Sequence, residues 1–124
     1  MKIVDTMLSN LERKHRSHNA AHTALVNAVM HALHAIGILA WHNQVGKGFT
    51  ARGTHIRYGL CPGSADIIAC VHGAFVGLEI KTGKGTREPN QIAWAKAVNE
   101  AGGLAVVVRS VEEAIDACLL RRNE

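Results

Sequence analysis

The feature that most constrains this chain is a pair of short apolar runs meeting at His72-Gly73. Ala65–Val71 and Ala74–Lys81 are rich in Ile, Val and Ala, and each is too short for an ordinary helix. A His-Gly pair between them suits a tight turn, so residues 65–81 are expected to form a β-hairpin. Counting outward from the turn, Val71 faces Ala74, Cys70 faces Phe75, and Asp66 falls opposite Glu79. A four-residue loop keeps these partners, whereas a three-residue loop shifts them by one. Because side chains alternate along a strand, Val76, Leu78 and Ile80 share an apolar face with Ile67, Ala69 and Val71. Glu79 and Lys81 take the other face.

That second face poses an electrostatic problem. Opposed residues in an antiparallel pair have Cβ atoms about 4.5–5.5 Å apart, where like charges destabilise the pair. Asp is also depleted in strands. A divalent cation offsets the repulsion between Asp66 and Glu79, since paired hard carboxylate oxygens suit Mg²⁺ or Mn²⁺. Lys81, two residues along on the same face, is then placed to orient a water and to stabilise charge developing on a phosphoryl group. The alternative is a sheet-surface ion cluster in which Lys81 neutralises both acids, and spacing alone does not separate the two.

The remaining elements follow from periodicity. Ile3, Met7, Leu8 and Leu11 predict a helix over about Lys2–His18. Leu25, Val29, Ala32 and Ile36 predict a second over about Ala21–Ile36, with Gly37 as its stop. Ile38–His42 reads as a strand. Gln44–Pro62 reads as a long Gly-rich irregular stretch. After the hairpin, Thr82–Arg87 is a Gly/Lys-rich turn, and Pro89 opens a helix to about Ala101. Leu104–Val108 is an apolar strand, and Ser110 with Glu113 forms a capping box opening a last helix to about Leu120. The expected fold is therefore α/β, a mixed β-sheet flanked by helices in the order α-β-β-β-α-β-α behind an extra N-terminal helix. The expected organisation is an N-terminal helical extension over 1–19 and one domain over 20–124, a size that one core can serve.

Charge is distributed unevenly. Residues 1–60 carry seven Lys/Arg against two acids, and no Asp or Glu lies between Arg13 and Ala65. An acid-free basic half is what a phosphate-binding surface needs, although a basic surface also serves solubility. Lys47, Arg52, Arg57, Lys84 and Arg87, on loops flanking the hairpin's open end, are the expected backbone-phosphate contacts. The three cysteines make no CxxC pair, so a reduced, cytoplasmic and unsecreted protein is expected, with Cys70 and Cys118 buried. No apolar run approaches a membrane span. Trp41 and Trp94 are expected in the core, with Trp94 packing under the site. The histidines at helical spacing, His15, His18 and His22 and then His31 and His34, are expected to be solvated or helix-packed rather than a zinc site.

Several of these residues together resemble a known family. Gly63-Ser64-Ala65-Asp66-Ile67-Ile68, Gly77-Leu78-Glu79-Ile80-Lys81-Thr82, Gly85, Gln91, Gly102-Gly103 and Val107-Val108-Arg109-Ser110 are similar to the VRR-NUC family of the PD-(D/E)xK nuclease superfamily, over roughly His22 to Leu120. The resemblance implies that Asp66 and Glu79 ligate Mg²⁺ or Mn²⁺ with the backbone carbonyl of Ile80, that Lys81 is the catalytic lysine, and that Gln91 borders the site. One position departs from the pattern. Where the family has a glutamate on its first helix, this chain has His22, which either ligates the metal or hydrogen-bonds a water or phosphate there; Glu12 is the alternative from the preceding helix. The implied activity is metal-dependent endonucleolytic hydrolysis of DNA, structure-selective on branched DNA resembling a Holliday junction. A homodimer, no organic cofactor and a bacterial or phage-infected cell accompany it. A catalytically weak nucleic-acid-binding module on the same fold, binding branched or duplex DNA, is the alternative that the His22 substitution motivates.

Overall fold

A computed structural model describes residues 20–43, 46–58 and 61–122, with side chains described over 20–43, 50–54 and 61–120. The hairpin forms about the expected turn. His72 and Gly73 take φ of 49° and 81°, the left-handed backbone with which a two-residue turn matches the twist of its strands. The strands run from Ile67 to Val71 and from Ala74 to Ile80, paired antiparallel with Val71 opposite Ala74, Cys70 opposite Phe75 and Ile67 opposite Leu78. This is the register counted from the turn, and it leaves Asp66 and Lys81 just beyond the strand ends.

In chain order the elements are α1 (20–35), β1 (Leu39–His42), β2 (Gly46–Phe49), β3 (His55–Tyr58), β4 (Ile67–Val71), β5 (Ala74–Ile80), α2 (Pro89–Glu100), β6 (Leu104–Val108) and α3 (Val111–Arg122). The four-stranded sheet has the order β1-β4-β5-β6, with β1 antiparallel to β4 and β6 parallel to β5. A parallel neighbour needs a crossover, and α2 provides it. The fold is thus mixed α/β, a four-stranded sheet flanked by three helices.

The two sheet faces are covered differently. Val26, Val29, Met30 and Leu33 of α1 and Ala114 and Cys118 of α3 pack on the face made by Ile67, Ala69, Val71, Val76, Leu78 and Ile80, in one core cluster. Leu33, Ile67 and Leu78 are fully buried, and truncating such a residue to Ala costs about 2–5 kcal/mol. On the other face α2 packs on β6 and reaches β5 through Trp94. A Cβ at Gly77 would lie 2.6 Å from that ring, so the residue without a side chain is what admits the indole there.

Helix ends follow local chemistry. Gly37 N donates to His34 O and Ile38 N to Leu33 O, at 3.0 and 2.9 Å, the paired bonds that close a helix at a glycine. His34 is exposed, with its Nε2 2.9 Å from Ala40 O. At α3, Glu113 N donates to Ser110 Oγ at 3.1 Å, while the Glu113 carboxylate accepts from Arg109 N at 2.6 Å. The expected reciprocal box is therefore displaced by one residue on its return side.

Three expectations are corrected. Gln44–Pro62 is not irregular throughout: β2 and β3 form a separate two-stranded antiparallel sheet, with Lys47 opposite Arg57, so both are strand residues rather than loop residues. Frequent glycines hid the period-two pattern of GKGF and HIRY. Cys70 is exposed, although Cys118 is buried as expected. Trp41 is 45% exposed and therefore not a core residue. Cys70 and Trp41 share the sheet face that α2 covers only toward β6, which leaves both exposed.

The expected helix over Lys2–His18, with Glu12, His15 and His18, and the 1–19 extension lie outside the described residues. No helix among the described residues is long and apolar enough to cross a membrane.

Candidate active site

The open end of the β4–β5 hairpin gathers side chains from four parts of the chain. Asp66 sits at the threshold of β4, and its Oδ2 accepts from Ile80 N at 2.7 Å. The carboxylate thus occupies the place where the next ladder bond of β5 would form, which fixes it at the strand's end. His22, on α1, reaches the same point: its Nε2 lies 3.2 Å from Ile80 O and 3.6 Å from Asp66 Oδ2. A carbonyl only accepts, so Nε2 carries the proton in this contact. That nitrogen is then not free to ligate a metal, and its partner is the Ile80 carbonyl rather than the water or phosphate expected for it.

Lys81 follows β5 with its ammonium held by a neutral acceptor. Nζ donates to Gln91 Oε1 at 3.0 Å and lies 3.9 Å from Glu79 Oε2. Gln91 Oε1 also accepts from Glu88 N at 2.8 Å, which caps the first turn of α2. One amide oxygen therefore anchors both the lysine and the helix start. His22, Asp66, Ile80, Lys81, Thr82, Gly85, Thr86 and Gln91 line one open depression of about 300 Å³.

Glu79 lies beneath rather than on this surface. Its side chain is 6% exposed, with Oε1 3.5 Å from Arg87 Nε. Glu79 Oε2 and Arg87 Nε are both buried without a hydrogen-bond partner. Arg87 thus places its Nε against Glu79 while its side chain stays 31% exposed. Lys84 and Arg52 are exposed, as a backbone-phosphate contact requires.

No family model matches the chain, and no curated protein matches it.

Among the described residues, no group of three or more His, Cys, Asp or Glu side chains is gathered as a metal cluster. His22, Asp66 and Glu79, the expected side-chain ligands, are therefore not gathered as one cluster, which leaves the oxygens of Asp66, Glu79 and Ile80. Asp66, Glu79 and Ile80 O are all hard oxygen donors of the kind Mg²⁺ and Mn²⁺ take. The buried Glu79 oxygen without a donor is a position at which added positive charge is favoured, because an unsatisfied buried carboxylate oxygen is costly. These donors are of the kind that suits a divalent ion, with Asp66 and Ile80 lining the depression and Glu79 buried beneath it.

Three positioning features were not anticipated. Asn43, at the end of β1, is buried and donates from Nδ2 to Ser64 Oγ and to Ala65 O, both at 2.8 Å. Its backbone N donates to Asp66 O at 2.8 Å. Asn43 therefore clamps the segment that delivers Asp66, and a lone Asn after a strand carries no sequence signal for that role. Gly63, with φ of +83°, packs on the start of α2, where a Cβ would lie 2.3 Å from Asn90 O. Arg109, outside the depression, steadies its rim by donating from Nη1 to Gly83 O at 3.2 Å and from Nη2 to Gly85 O at 2.8 Å.

Proposed function

We propose that this protein is a divalent-metal-dependent nuclease with a PD-(D/E)xK core of the VRR-NUC type, hydrolysing DNA phosphodiester bonds. The observation that carries the reading is the meeting of Asp66, Ile80, Lys81, Gln91 and His22 around one depression, with Glu79 buried beside Lys81. A nuclease of this type calls for two acids, a carbonyl and a lysine at one hairpin end, and alternation about His72-Gly73 delivers them there.

Asp66 and Glu79, with Ile80 O, would hold Mg²⁺ or Mn²⁺. That ion supplies Lewis-acid stabilisation of a phosphoryl oxygen. Lys81 contributes a second positive charge, aimed by Gln91, to the oxygen on which charge accumulates, and fixed donors of this kind need no reorganisation during reaction. His22 holds the Ile80 carbonyl and presents an imidazole to the open side, within reach of a water or phosphate oxygen. Arg52 and Lys84, with the basic β2–β3 segment that bears Lys47 and Arg57, supply charge for the DNA backbone. Branched DNA is the proposed substrate, cut by a homodimer, because paired cuts on two strands need two sites and each chain has one.

The test is cleavage of a panel of four-way junction, flap, single-stranded and duplex DNA, with and without Mn²⁺, by the wild type, Asp66→Asn and Lys81→Ala. Metal-dependent cleavage lost in both variants, with unchanged circular dichroism, is expected. Cleavage persisting in both variants would refute the assignment. A second reading, DNA binding without appreciable hydrolysis, is favoured by one observation: Glu79 is already ion-paired to Arg87 and Lys81. Tight junction binding with no cleavage under Mn²⁺ would select it.

A further inference from the structure

Glu79 and Arg87 form an electrostatic pair that is incomplete on both sides. The carboxylate is 6% exposed and the guanidinium side chain 31% exposed, and their nearest atoms are 3.5 Å apart. Neither Glu79 Oε2 nor Arg87 Nε has a hydrogen-bond partner, although both are buried. A buried ion pair repays its desolvation only when its remaining donors and acceptors are satisfied. Here they are not. Lys81, the other cation near Glu79, differs: it has Gln91 Oε1 at 3.0 Å and sits farther from the carboxylate, at 3.9 Å. Of the two cations Lys81 is anchored by a neutral acceptor, and the Arg87 Nε contact holds by charge alone.

We propose that Arg87 is an internal counter-ion that competes with the divalent cation for Glu79, so that cation entry requires its guanidinium to withdraw. The inference rests on the metal-dependent reading above and assigns the residue that sets the site's cation affinity. The physical cause is repulsion: a doubly charged ion at Glu79 and a guanidinium within ion-pair distance of the same buried carboxylate oppose each other. Without the cation, Arg87 prevents an uncompensated buried charge. With it, Arg87 is surplus. The ion-pair energy of Glu79 with Arg87 is thereby subtracted from the cation's binding energy, and removing the guanidinium returns it.

The test measures Mn²⁺ binding to the full chain directly, by the loss of the free-ion paramagnetic resonance signal, without substrate. Wild type, Arg87→Ala, Arg87→Gln and Arg87→Lys are compared, each also in a Glu79→Gln background. Arg87→Ala and Arg87→Gln are expected to bind Mn²⁺ roughly tenfold more tightly than wild type, toward the low end of coupling between sites. Arg87→Lys stays near wild type, and Glu79→Gln cancels the gain. Mn²⁺ should also raise the melting temperature more in Arg87→Ala than in wild type, since the ion then replaces the missing counter-charge. Unchanged or weaker Mn²⁺ binding in both neutral variants overturns the proposal. Should Arg87→Ala fail to fold in chelator, Arg87→Gln carries the same comparison. Asp66→Asn separates the two readings: Mn²⁺ binding that Asp66→Asn abolishes but the Arg87 variants leave unmoved sinks the competition alone. Absence of Mn²⁺ binding in wild type and Arg87 variants alike sinks both.

Discussion

Gly63→Ala isolates how the loop that delivers Asp66 is fitted to α2. Gly63 and Gly73 have nearly the same backbone, φ of +83° and +81°, yet a Cβ at Gly73 meets nothing within 4 Å while one at Gly63 meets Asn90 O at 2.3 Å and Asn90 C at 2.5 Å. Placing an L-residue in left-handed backbone costs about 1–2 kcal/mol, and both substitutions incur it. Only Gly63→Ala adds overpacking. The obstructing atoms are backbone and cannot rotate away, so loop and helix must separate by about an ångström, and overpacking of this kind costs about 1–3 kcal/mol. Gly73→Ala should therefore lose about 1–2 kcal/mol and Gly63→Ala about 2–5 kcal/mol, the latter a large share of a typical domain's stability. Urea unfolding followed by circular dichroism measures both differences under the same conditions. Because Gln91 adjoins the collision, Gly63→Ala should also displace the amide that holds Lys81 and lower cleavage, while Gly73→Ala leaves cleavage intact. Equal destabilisation by the two substitutions would refute the claimed contact between the loop and α2.

Asn43→Ala removes the donor to Ser64 Oγ and Ala65 O; it should cost about 1–3 kcal/mol in thermal or urea unfolding, as for other buried acceptors left unpaired. Cleavage should fall as well, through loss of Asp66 positioning. Gln91→Ala should lower kcat more than it raises KM, since it frees Lys81, and should cost about 1 kcal/mol through the lost contact to Glu88 N. Burial pushes the Cys118 thiol up from 9.0 to about 11. Its folded-state value lies above the unfolded one, so its contribution to stability is complete below pH 9 and is lost as pH rises toward 11. Melting temperatures of wild type and Cys118→Ala across that range should converge as pH rises, and parallel curves would contradict the assignment.

What the sequence determined by itself is local. Alternation around His72-Gly73 set the β4–β5 register, the apolar face of Leu78 and Ile80, and the delivery of Asp66, Glu79 and Lys81 to one hairpin end. Pro89 and Gly37 likewise marked helix boundaries through backbone constraints that act within a few residues. Tertiary structure decided everything that depends on distant segments meeting. His22 reaches Ile80 across 58 positions, Asn43 clamps the approach to Asp66, and Arg87 turns inward to Glu79. Periodicity states which way a side chain faces, but what stands opposite is fixed only when helices and strands pack. For the same reason the apolar character of Trp41 and Cys70 did not fix their exposure, because α2 settles toward β6 and leaves the β1 side of that face open.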